Sequence, residues 1–267
     1  QKKKENNITK PFFILNKEDK KRGEDILKKI GIKNTNWHVT LHVREPGYRG
    51  ETKSNTNEKF RNSNINNFIK SIKLITDKGG WVFRMGDPSM QKLPKMNNVV
   101  DYAHSNIRSE FMDVYLGAKC LFCLSTGYGF DDVSYVFRKP LALMNTPVIG
   151  FRSRSDNQIF LTKHHICKKD NNKKLALSEI FSKGVADAYD ARIFDQRGVQ
   201  LKDNTPEEIK DLVLEMLEKI NNNNLKNNRT ELQKKFQEKF IFHLKQLYKN
   251  YPEDFDGNYF QNLRGQF

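Results

Sequence analysis

Cysteine is scarce in this chain, with three among 267 residues. That excludes the disulfide framework on which small secreted domains depend. Cys120 and Cys123 lie three apart in what reads as a buried strand, where alternation points them to opposite faces. They read as small apolar core residues of a protein in a reducing compartment, not as a zinc or redox pair. His164, His165 and Cys167 have metal-like spacing, but no carboxylate or further ligand lies nearby in sequence, and a metal centre is excluded. Long apolar runs are also missing. No segment approaches the roughly 18 to 20 residues that a membrane helix needs, and the opening Gln-Lys-Lys-Lys-Glu-Asn-Asn has no apolar signal core. The expectation is a cytoplasmic protein, at most peripheral to the inner membrane. Because it starts with Gln, the chain reads as a piece of something longer. Neither a Walker Gly-Lys-Ser/Thr loop nor a Gly-x-Gly-x-x-Gly fingerprint occurs.

Acidic residues are in the minority, 32 against 47 Lys and Arg, for a formal charge of +15. The excess is spread over scattered lysines in an asparagine-rich chain. It would attract phosphorylated partners, but with no helix-turn-helix, zinc-finger or RNA-recognition signature, nucleic acid is not an expected partner. The length suits one large domain or two small ones with a sizeable core.

What is present is an alternation of short apolar runs and helical patterns, the mark of a parallel α/β sheet. Helices are predicted over 17–30, 65–78, 108–118 and 133–137, and strands over 37–43, 81–85, 99–100 and 120–125. The run 140–145 reads as the last buried strand. The signal then weakens until Thr205-Pro206-Glu207-Glu208, an N-cap, a first-turn proline and acidic residues opening a helix to about 220. A second long helix is predicted over 229–248. Residues 46–63 form the longest stretch without periodicity and are a candidate lid.

Ligands of parallel sheets bind at the C-terminal ends of strands. Here those ends are unusually polar: His42-Val43-Arg44-Glu45, Arg84-Met85-Gly86-Asp87-Pro88, Asp101-Tyr102-Ala103-His104 and Ser125-Thr126-Gly127. Arg44 and Arg84 are candidate cations for an anionic ligand, with surface pairing to Glu45 and Asp87 as the alternative. Small hydroxyl-bearing residues at 125–127 suit a phosphate-binding turn. Asp87 reads as a turn-capping residue or a catalytic base. His42 reads as a ligand contact or a core hydrogen-bonder, and His38 as structural. Asp101 and His104 carry the same ambiguity, with base or ribose recognition as the functional alternative.

The series His42-x-Arg44 with Gly47-Tyr48-Arg49, then Arg61-Asn62, Gly79-Gly80-Trp81-Val82-x-Arg84-Met85-Gly86-Asp87-Pro88-Ser89-Met90, Asp101-Tyr102-Ala103-His104-Ser105, Ser125-Thr126-Gly127 and Lys139-Pro140-x-Ala142-Leu143-x-Asn145 resembles a family of bacterial glycosyltransferases found in surface-polysaccharide gene sets. The likeness runs from about residue 12 to about 220. The His-x-Arg strand end is similar, more distantly, to the fucosyltransferase-like group.

This resemblance implies a Rossmann-like sheet flanked by helices, the C-terminal, donor-binding half of a GT-B glycosyltransferase. Its parts would be an N-terminal segment and linker helix (1–36), a nucleotide-sugar-binding domain (37–220) and a helical extension (221–267). The implied donor site comprises Arg44, Arg84, Gly86, Asp87, Asp101, His104, Ser125, Thr126 and Gly127, with Asp87 and His42 as catalytic candidates. It needs no metal or other cofactor. The implied partners are a nucleotide-sugar donor and a glycan or lipid-linked acceptor, with a further domain preceding this region. The alternative function is a non-catalytic nucleotide- or sugar-binding module. Asp131-Asp132 departs from the family pattern, which often has small or hydroxyl residues there.

Overall fold

Short, nearly continuous apolar runs build the centre of the molecule. The computed structural model describes residues 10–46, 58–127, 129–149, 157–170, 173–222 and 230–247. Strands β1 (His38–His42), β2 (Trp81–Met85), β3 (Val99–Val100), β4 (Phe122–Ser125), β5 (Leu141–Thr146) and β6 (Gln158–Thr162) form one sheet in the order β3-β2-β1-β4-β5-β6. Every pairing in it is parallel. The chain winds outward from β1 to β3, then returns to the other side of β1 and winds outward again. The fold is Rossmann-like, and β1 and β4 flank the point where strand order reverses.

Alternate residues of each strand feed different layers. Val39, Leu41, Val82, Phe122, Leu124 and Met144 pack with helix α2 (Ile69–Asp77) and helix α7 (Pro206–Asn221). α7 brings Ile209, Leu212, Val213, Met216 and Leu217 to the sheet, a 3-1-3-1 spacing that forms one helical stripe. Its start is fixed by Pro206 at N1 and a capping box in which Thr205 Oγ1 accepts from the Glu208 N–H while Glu208 accepts from the Thr205 N–H.

The opposite face is covered in two parts. Phe83 and Met85 meet Leu27, Met112, Tyr115 and Leu116, from helix α1 (Lys17–Lys29) and helix α3 (Glu110–Lys119). Cys123, Leu141, Leu143 and Phe160 meet helix α5 (Leu177–Ser182) and helix α8 (Glu231–Leu247). Helix α4 (Phe130–Val136) lies between these parts, with Phe130 packed against both.

Several sequence expectations change. The strand at 140–145 is not the last. β6 follows it, and β7 (His164–Cys167) pairs antiparallel with β8 (Val199–Lys202), while helix α6 (Ala191–Gln196) precedes β8. These strands are short and set in polar sequence, so their periodicity is too brief to register. The segment given as a linker helix packs into the domain core: a Cβ on Gly23 of α1 would lie 2.2 Å from the Tyr115 ring of α3. α8 likewise packs back on the domain, Phe240 meeting Phe181 at 5.7 Å between ring centroids. Cys120 caps the end of α3 outside β4, so strand alternation does not apply to it, and both cysteines enter one apolar cluster. Of the candidate lid, residues 47–57 lie outside the described residues.

Candidate functional site at the strand-order reversal

The ends of β1 and β4 are tied together by the residues that the sequence singles out. Thr126 N–H donates to the His42 carbonyl at 3.1 Å, and Arg44 N–H donates to Thr126 Oγ1 at 3.0 Å. Within the turn, the Gly127 N–H donates to Ser125 Oγ at 3.1 Å, and Ser125 Oγ donates to Asp131 at 3.3 Å. Gly127 has φ +87°, a backbone that favours glycine. The turn therefore spends its Thr126 and Gly127 N–H groups internally. That differs from the expected role of offering them to a phosphate.

Arg44 leaves β1 with its side chain 11% exposed. Its Nη1 donates to the Glu58 carbonyl and to Asn62 Oδ1, each at 3.0 Å, and its Nη2 to Glu58 Oε2 at 2.9 Å. Arg61 Nη1 donates to the same Glu58 oxygen at 3.0 Å. Two guanidinium groups thus share one carboxylate, and that carboxylate is 51% exposed.

Arg84 occupies a different setting. Its side chain has no exposed surface and is gripped by Glu45, 2.7 Å from Nη2, and Asp101, 3.1 Å from Nη1. Each carboxylate takes a further backbone N–H from the loop after β2, Glu45 from Gln91 and Asp101 from Leu93, at 2.8 and 3.0 Å. Arg84 is placed to hold that loop, with no face open to a ligand. The alternative of a surface pair with Asp87 gives way to these buried partners, and Asp87 Oδ1 caps its own turn through the Ser89 N–H at 2.8 Å, the turn role read from the sequence. Gly86 has φ +139°, and a Cβ there would strike the Met90 sulfur at 2.1 Å. The Gly86 carbonyl accepts from Arg108 Nε at 3.0 Å. His104 Nε2 donates to the Met90 carbonyl at 3.0 Å, so it too braces this loop.

His42 packs against Phe130, with ring centroids 5.8 Å apart. Its Nδ1 is buried and finds no hydrogen-bond partner among the described residues. Burial first, then the charges of Arg84 and Arg44, lower its pKa to about 4 against an opposing effect of Asp87. The ring is neutral near pH 7, with an unused nitrogen. His38 at the other end of β1 donates from Nε2 to the Leu116 carbonyl at 3.1 Å, a structural bond, and burial lowers its pKa to about 4 as well.

A second set of polar contacts, outside the sequence reading, adjoins these strand ends. Lys163, just after β6, donates to the Asn62 carbonyl at 2.6 Å and to Asp203 Oδ1 at 2.7 Å. Asn62 thereby links Arg44 to Lys163. Asn145 has φ +53°, and it exchanges side-chain and backbone hydrogen bonds with Asn204 at 3.1 and 2.6 Å, tying β5 to the start of α7. Asn145 stands in the strand-end pattern quoted above; Lys163 and Asp203 sit in polar stretches where no local pattern marks them. His164 and His165 are used elsewhere, on Glu208 at 2.9 Å and the Lys163 carbonyl at 3.1 Å. Among the described residues no group of three His, Cys, Asp or Glu side chains is placed to hold a metal ion. No described helix is long and apolar enough to cross a membrane.

The arrangement defines a Rossmann-like α/β protein with polar, arginine-bearing strand ends at its strand-order reversal. No protein-family model and no curated protein matches the chain. Among solved structures it is similar to a glycosyl transferase family 9 protein from Veillonella parvula, at 10% identity and a TM-score of 0.42. The likeness covers 76% of this chain and 53% of that one, so the chain spans about half the length of the solved protein.

Proposed function

We propose that the chain is the donor-binding half of a glycosyltransferase and holds the diphosphate of a nucleotide sugar at the C-terminal ends of β1 and β4. The observation that carries this reading is the sharing of one half-exposed carboxylate, Glu58, by Arg44 and Arg61 beside the strand-order reversal. An anionic ligand entering there displaces an exchangeable partner and meets two guanidinium groups, which suit phosphate oxygens bidentately.

In this reading Arg44 and Arg61 stabilise the charge that develops on the departing nucleoside diphosphate as an acceptor hydroxyl attacks the anomeric carbon. Arg84, Glu45 and Asp101 hold the loop after β2 in position. The Ser125-Thr126-Gly127 turn fixes the backbone of Arg44 through Thr126. His42, neutral and with a free nitrogen, is a candidate to accept a hydrogen bond or a proton from the ligand. The acceptor, and the base if it is not His42, belong to a further domain.

Isothermal calorimetry against UDP, GDP, CDP and CMP, with and without magnesium, tests this. Selective binding of one nucleotide that needs no magnesium is the expected result. Equal weak binding of all of them, or none, overturns the reading of this chain as a donor site.

A further inference from the structure

A cleft of about 590 Å³ opens beside the 58–62 segment, lined by Asn62 and Lys163 but not by Arg44. Its size falls within the usual range of small-molecule pockets. One wall is aromatic, with Phe60 and Phe194 at 5.5 Å between ring centroids.

The charges lining this cleft favour an anion. Asp203 uses both carboxylate oxygens, one on Lys163 at 2.7 Å and the other on the Asn64 N–H at 3.1 Å. Asp195 receives Lys168 at 2.7 Å. Lys163 is 5% exposed and commits two of its three ammonium hydrogens, leaving one for a ligand. Lys59 is exposed and makes no ion pair among the described residues. Three lysines thus line the cleft with two carboxylates, of which Asp203 has both oxygens engaged and Asp195 one, so positive charge is in excess.

We propose that this cleft is a second binding site, for a small ring compound carrying one phosphate or carboxylate group. The ring lies against the partly exposed Phe60, which is itself backed by the buried Phe194, and the anionic group reaches Lys59 and the free N–H of Lys163. The proposal does not depend on the donor reading, because none of its contacts uses Arg44, Arg61 or the 125–127 turn.

Calorimetry of the full chain with phenyl phosphate, benzoate and inorganic phosphate, with and without saturating UDP, tests it. At least one of the two ring anions is expected to bind saturably and more tightly than inorganic phosphate, without displacement by UDP. Binding of both assigns recognition to charge, and binding of one names the group. Lys59 and Lys168 are exposed, so Lys59→Gln and Lys168→Gln are expected to leave the fold intact, which circular dichroism checks. Lys59→Gln is expected to weaken the ring anion about tenfold, through loss of a charge-assisted contact, and Lys168→Gln to weaken it less. Absence of saturable binding, an affinity unchanged in Lys59→Gln, or competition by UDP overturns the second site. Failure of UDP to bind bears on the donor reading alone, since the ring anions and the variants still test this cleft.

Discussion

Two arginines stand at the ends of neighbouring strands, and the fold uses them differently. Arg84 is fully buried between two carboxylates that also hold the following loop, whereas Arg44 keeps some exposed surface and shares a half-exposed carboxylate with Arg61. The lesson concerns partners and water. A guanidinium enclosed by buried counter-ions is part of the scaffold, while one paired with a half-exposed carboxylate has a partner that water and ions can reach.

The largest expected effect comes from attacking the enclosed arginine. Arg84→Ala leaves Glu45 and Asp101 facing one another without their cation, and breaking such a buried network costs about 3 to 5 kcal/mol. Urea unfolding followed by tryptophan fluorescence should show that loss, and Arg84→Lys should recover only part of it, since an ammonium cannot fork to both carboxylates. Wild-type stability in Arg84→Ala would place the arginine outside the scaffold.

The exchangeable arginine should behave in the opposite way. Arg44→Ala is expected to weaken nucleoside diphosphate binding by about 1.5 to 3 kcal/mol, the range for a hydrogen bond to a charged group, with a smaller change in stability. A variant that loses stability as Arg84→Ala does, while keeping nucleotide affinity, would erase the distinction between the two strand ends.

The histidines of β1 sharpen the comparison through pH. His38 and His42 both titrate near 4 in the fold, below the ordinary histidine value of 6.5. Their contribution to stability is present above pH 6.5 and is lost as pH falls through 4, because the unfolded chain takes up the protons first. Each contributes a slope of roughly 1.4 kcal/mol per pH unit inside that window. Only His42 is lowered by Arg84 and Arg44. A bound diphosphate should therefore raise the His42 pKa and leave His38 unmoved, which an NMR titration of ring protons with and without UDP would read.

Much of this was legible in the sequence, for identifiable reasons. Short, nearly continuous apolar runs such as Val82-Phe83 and Leu141-Ala142-Leu143-Met144 reveal the parallel sheet, because its strands are covered on both faces. The polar residues at 44, 84 and 125–127 do fall at the C-terminal ends of β1, β2 and β4, but the bond from the Arg44 N–H to Thr126 Oγ1 joins residues 82 apart and is not written in local pattern. Local pattern could not separate Arg84 from Arg44, since the partners that decide the matter, Glu45, Asp101 and Glu58, lie 14 to 39 residues away. Lys163 and Asp203 were invisible for the same reason: their pairing joins the residue after β6 to the residue after β8, and no periodicity encodes it.

The smallest expected effect tests whether the counter-ion of Arg44 is exchangeable. Glu58 is half exposed, so its ion pairs with Arg44 and Arg61 should contribute less than about 1 kcal/mol to stability. Glu58→Gln keeps the side-chain shape and removes the charge that a ligand must displace. Nucleoside diphosphate binding should then tighten severalfold while the urea midpoint barely moves. Weaker binding in Glu58→Gln would mean that the carboxylate orients the arginines for the ligand and does not compete with it; the two guanidinium groups would then form a site built around Glu58, and the contrast with the carboxylate-gripped Arg84 would become one of degree.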